Sequence, residues 1–251
     1  MKLVQLVPLA AALALGLGLS QTPAHAGDAV QDTLAVASAD AAGSFYVEYQ
    51  VTTQEPGKRA RSVGLKVWVK GDKRLLEYTG STEYAGTRLL IASPTEVYLY
   101  QPKFGKVRRV ASHTQDQSAF SLAYSPYDIA THTYANNAGA AKQLGSSTVT
   151  LGPGPTAFDG TGVIASPYAK VRVTLAKDTQ LPTKLEYYAA DGTLAKTETR
   201  SDYTCEAGGC TPGSLQMLDH ATGVTTTLLR RKWTIDASIS DDMFSKRSLE
   251  K

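Results

Sequence analysis

Several common chemistries are missing from this 251-residue chain. There is no Gly-x-Ser-x-Gly elbow, no His-Glu-x-x-His pair and no phosphate-binding glycine loop. Those absences remove the usual serine-hydrolase, zinc-protease and P-loop readings. Histidine occurs four times. One of these is His25 near the N-terminus, while His113, His132 and His220 are scattered through polar stretches with no convergent ligands, so no metal is expected. Charge of either sign is not in excess: 26 Lys and Arg against 23 Asp and Glu give a formal +3. A nucleic-acid binder needs many phosphate-neutralising cations, so nucleic acid is excluded as a partner. Asp159-Gly160-Thr161-Gly162 is a turn rather than an aspartic-protease loop, since the order is wrong and no second copy exists. The adjacent Asp241-Asp242 pair suits a helix start. The sequence therefore predicts no enzyme, no catalytic residue and no cofactor.

Only two cysteines are present, Cys205 and Cys210, in Cys-Glu-Ala-Gly-Gly-Cys. The N-terminus sets their redox context. Lys2, an apolar stretch from Leu3 to Leu19 and Ala24-His25-Ala26 before Gly27 form an export signal over residues 1–26. Its apolar run is shorter than a membrane span requires, and no cysteine near the cleavage point could take a lipid. The expected product, residues 27–251, is one domain, soluble and exported to the periplasm without a lipid anchor. In an oxidising compartment a nearby cysteine pair forms a disulfide, and Gly208-Gly209 lets the loop fold back. Cys205–Cys210 is expected as a loop staple.

What the chain has in abundance is two-residue alternation. Residues 28–42 read as a helix, with Val30, Leu34, Ala37 and Ala41 on one stripe. From Ser44 the period changes: Phe45, Val47, Tyr49 and Val51 alternate with polar partners, then Val63, Leu65, Val67 and Val69 do the same. Turns at Pro56-Gly57 and Gly71-Asp72 make these a hairpin meander. Strands are also predicted near 74–78, 89–92, 97–100, 107–110, 148–151, 171–175, 184–188, 193–204, 214–219 and 225–236. Asp191-Gly192 is a strong hairpin turn. In the last strand Leu229, Trp233 and Ile235 are expected on one face, with Arg231 interrupting it. Ser240 is expected to cap a final turn. This is a mainly β chain with minor α: a strongly curved antiparallel sheet, an unclosed β-barrel with an N-terminal helix.

The segment Leu89–Ile129 carries a resemblance. Tyr98-Leu99-Tyr100-Gln101-Pro102, Lys106-Val107-Arg108-Arg109, Asp116-Gln117-Ser118-Ala119-Phe120 and Tyr124 to Asp128 follow in an order that resembles the LolA-like outer-membrane lipoprotein-sorting proteins. Leu181 to Tyr188 and Thr225 to Phe244 extend the likeness over roughly 60–248. The resemblance implies an unclosed barrel with a helical lid that carries the acyl chains of lipoproteins across the periplasm. Helix 28–42 and the loops 113–140 would be that lid.

Two readings of the apolar face stand side by side. It is an ordinary core, or it is a concave pocket for a greasy ligand. In the second case the pocket is expected from Phe45, Val47, Tyr49, Leu65, Val67, Leu99, Val173, Leu185, Leu229 and Trp233. Lys103, Lys106, Arg108 and Arg231 are candidate contacts for a partner or a lipid headgroup. The cations of the 100–109 hairpin also suit plain protection of an edge strand, and Arg231 also suits an outward residue beside a bulge. The expected partners are a lipid or acylated-protein cargo and an inner- or outer-membrane protein, with the chain itself a monomer. An alternative of another class is an envelope-stress regulator or scaffold that uses the same sheet to bind a membrane protein.

Overall fold

A computed structural model describes residues 44–71, 73–80, 83–93, 96–111, 120, 122–130, 142–143, 148–151, 157–158, 163–164, 167–176, 178–179, 181–206, 209–235 and 237–250. The export signal, the helix expected over 28–42 and most of the 113–140 loops lie outside the described residues.

Alternating apolar and polar side chains, cut by turn residues, build six consecutive strands: β1 (Ser44–Gln54), β2 (Arg61–Lys70), β3 (Lys73–Thr79), β4 (Arg88–Ser93), β5 (Glu96–Gln101) and β6 (Lys106–Arg109). A short helix, α1 (Pro126–Ala130), begins on the proline, whose fixed φ suits a first helical turn. Then come β7 (Lys142–Gln143), β8 (Thr148–Leu151), β9 (Ala157–Phe158), β10 (Val163–Ile164), β11 (Lys170–Leu175), β12 (Pro182–Tyr188), β13 (Leu194–Ser201), β14 (Thr204–Glu206), β15 (Gly209–Thr211), β16 (Ser214–Asp219) and β17 (Thr225–Ile235). Two 3-10 turns, Asp241–Phe244 and Lys246–Glu250, end the chain.

Thirteen strands make one antiparallel sheet in the order β6-β5-β4-β3-β2-β1-β17-β16-β13-β12-β11-β8-β7. β6 and β7 are its edges, so the sheet does not close. The first and last long strands, β1 and β17, weld two hairpin meanders together. β9–β10 and β14–β15 are separate two-stranded ladders, and the second carries the disulfide Cys205–Cys210. At the Asp191-Gly192 turn, Gly192 takes φ +86° while the Asp191 carboxylate accepts from the Thr193 backbone N–H and hydroxyl.

Register puts Val47, Val67, Leu76, Leu89 and Leu99 in one row across five strands. This inner face is the main core. It joins residues as far apart along the sheet as Val47 and Val173 into one cluster with Leu122, Ala123, Tyr124 and Tyr127, which lie in and just before α1. The opposite row, Trp68, Leu75, Leu90 and Tyr98, faces outward. It is covered by the C-terminal segment, whose Ile239, Phe244 and Leu249 form a second buried cluster with Leu75, Leu90 and Tyr98. Ser240 caps the first of the two 3-10 turns, its side chain accepting from the Asp242 N–H. No helix among the described residues is long and apolar enough to cross a membrane.

Candidate ligand-binding cleft

The inner face is partly filled and partly open. On the β11–β12 side, Val173 and Leu185 have no exposed surface and are packed core. Around β1, β2 and β3 a cleft of about 130 Å³ remains. Its floor is the inward row of those strands, Phe45, Val47, Tyr49, Val51, Leu65, Val67, Val69 and Leu76. Its walls are Leu122, Tyr124 and Ile129 from the α1 segment, and Thr211, Pro212, Leu215 and Leu228 from the other half of the sheet. Arg74, also buried, is the one charged residue in the lining. A concave, mainly apolar site with few polar groups is what an aliphatic ligand requires.

Five of the ten apolar positions expected from the sequence are thus brought together in the lining: Phe45, Val47, Tyr49, Leu65 and Val67. Leu99 and Trp233 are half-buried and pack against the same core beyond the cleft. Leu229 is elsewhere. It is 40% exposed and pairs with Gln50, whereas Trp233 pairs with Val47. The expected shared face of Leu229 and Trp233 is broken by a bulge: register shifts between Glu48 and Tyr49, so Glu48 pairs with Lys232, Tyr49 pairs with Arg230, and Arg231 is the extra residue. One inserted residue reverses the alternation and sends Leu229 to the outer side. Arg231 is exposed and hydrogen-bonds the Gln50 side-chain oxygen beside that bulge. Lys103, Lys106 and Arg108 lie on the exposed β5–β6 hairpin at the sheet edge, away from the cleft.

The α1 wall is held by polar groups that the alternation does not reveal. Ala123 N–H donates to Thr226 Oγ1 at 2.8 Å, docking the segment on β17. Asp128 accepts from the Ser125 N–H at 2.7 Å, from the Tyr168 hydroxyl at 2.7 Å and from Lys196 Nζ at 2.7 Å. Asp128 and Lys196 are both buried. On the same inward side of β13, Arg200 Nε donates to Glu198 Oε1 at 2.5 Å, and neither side chain touches solvent. Burial, then the Asp128 charge, pushes the Tyr168 phenol far above its ordinary value. Burial, then the Glu198 charge, does the same to Tyr124. These ions were missed because β13 is polar on both faces. The one available signal was the run Lys196, Glu198, Arg200 at every second position, whose opposite charges can pair when turned inward. Among the described residues no group of three His, Cys, Asp or Glu side chains is placed to hold a metal ion.

A family model described as "Uncharacterized protein" matches residues 70–251. No curated protein matches the chain. Solved structures share its fold. A domain assigned to outer membrane lipoprotein sorting, from Vibrio parahaemolyticus, aligns with a TM-score of 0.71 at 19% identity, covering 90% of this chain and 98% of that one. A DUF1329 family protein from Desulfovibrio piger aligns at 0.74 and 18%, covering 89% and 99%. A LolA superfamily protein from Nitrosomonas europaea aligns at 0.66 and 17%, covering 89% and 99%.

Proposed function

Because the chain belongs to the family whose model spans residues 70–251 and has the fold of LolA-like proteins, we propose that it is a periplasmic carrier without turnover. It shields the acyl chain of a lipid or lipoprotein in the inner-face cleft and hands it between membrane partners. On this reading residues 1–26 are removed on export and 27–251 work as one domain. The observation that supports the proposal is the cleft itself: eight apolar residues from three adjacent strands line its floor, with Arg74 as the one charged residue in the lining.

The energetics suit reversible carriage. Each methylene taken out of water contributes about 0.8 kcal/mol, so about ten contribute about 8 kcal/mol. That is roughly the micromolar range before the cost of association is subtracted. Such a ligand is held in transit and released when the α1 wall moves. The test is uptake of a fluorescent fatty-acid probe by the wild type and by Leu228→Trp, which fills the cleft from its wall. The expected result is saturable uptake that falls at least about ten-fold in the variant, with an unchanged circular dichroism spectrum. Equal uptake by a folded variant would place the ligand elsewhere.

A further inference from the structure

The β5–β6 hairpin holds one feature that neither the core nor the cleft uses. Phe104 is 47% exposed, and among the described residues only Leu229 is another large hydrophobic side chain left so open. It sits at the tip of the hairpin, in the turn Pro102–Gly105, where Gly105 takes φ +56°. Around it Lys103, Lys106, Arg108 and Arg109 are all exposed, and the hairpin from Gln101 to Arg109 contains no acid. The Arg108 guanidinium lies 4.8 Å from the Phe104 ring centre and props the ring at the tip.

Protection of an edge strand accounts for the cations on β6. It does not account for the phenyl ring, because a protected edge gains nothing from an exposed apolar tip. We propose that this hairpin docks edge-on to an anionic phospholipid surface, with Phe104 entering the interface and the cations contacting headgroups. Arg108 pairs with Leu99 and Arg109 with Tyr98, so the two arginines project from opposite faces of β6. A flat contact on either face would use one of them, whereas an edge-on contact uses both. Two further cations, Lys246 and Arg247, flank Arg109 around the same edge, against one acid there, Glu250. An aromatic tip ringed by lysine and arginine matches the layering of a bilayer interface, apolar below and negative at the surface. The surface is separate from the cleft, so the inference does not depend on what the cleft carries.

The test is co-flotation of the full exported protein with vesicles of phosphatidylcholine alone and of phosphatidylcholine with phosphatidylglycerol. Binding is expected to the second and to weaken with salt. Lys103→Gln with Lys106→Gln should weaken it about five-fold per cation, and Phe104→Ser about ten-fold. Leu229→Ser, at the other exposed hydrophobic residue, should leave it unchanged. All four substitutions are on the surface, and fatty-acid uptake should persist in each. No binding to the anionic vesicles, or binding indifferent to both hairpin variants, overturns the proposal. Failed uptake beside intact, hairpin-dependent vesicle binding counts against the cleft and upholds the hairpin.

Discussion

Lys196 Nζ lies 2.7 Å from the Asp128 carboxylate, and the pair is buried between β13 and α1. The contact fixes the wall of the cleft to the half of the sheet that does not form its floor. Removing one partner leaves an uncompensated buried charge, which costs about 3–5 kcal/mol, whereas replacing both by apolar groups is close to neutral. Asp128→Ala is therefore expected to lose about 3–5 kcal/mol in urea unfolding, and Asp128→Leu with Lys196→Met to recover part of it, since the Tyr168 hydroxyl and the Ser125 N–H stay without their acceptor. Equal losses in the single and double variants would mean that the pair does not act as a unit.

The bulge at Arg231 makes a second comparison decisive. Val67 lies in the cleft floor, while Leu229, moved to the outer side by the extra residue, is 40% exposed. Val67→Asp should abolish fatty-acid uptake and lower the melting temperature. Leu229→Asp should change stability by no more than about 0.5 kcal/mol and leave uptake intact.

Acid should loosen the C-terminal cover of the outer face. The Asp241 carboxylate accepts from Lys70 Nζ at 3.1 Å and Lys73 Nζ at 3.2 Å, and these bonds hold its pKa below the ordinary value. A depressed carboxylate contributes stability that is present above its unfolded pKa of about 3.9 and is lost as pH falls through the folded value. Wild type should therefore melt above Asp241→Asn at about pH 6, by a small margin since Asp241 is exposed. The difference should shrink as pH falls below the unfolded value of about 3.9. A gap that persists in acid would assign the effect to something other than this carboxylate.

The same physics explains what the sequence revealed and what it hid. β1 and β2 were legible because Val47, Val51, Leu65 and Val69 are apolar, inward and buried, so period and burial agree. β13 hid its inward side because Lys196, Glu198 and Arg200 pair with one another or with α1, and charge no longer marks solvent. The face of Leu229 was misplaced because Arg231 adds one residue without changing the hydrophobic pattern around it. The β1–β17 junction joins residues nearly two hundred positions apart, such as Phe45 and Ile235, and alternation says nothing about which strands meet. The cleft depends on that junction, since Leu228 on β17 pairs with Val51 of the floor across it.

Native mass spectrometry of the protein isolated without detergent, with solvent extraction of whatever it releases, tests the carrier reading most directly. The account predicts a discrete added mass, released as a phospholipid, fatty acid or acylated peptide, and missing from Leu228→Trp. A bare protein mass together with no uptake of the fatty-acid probe would contradict it.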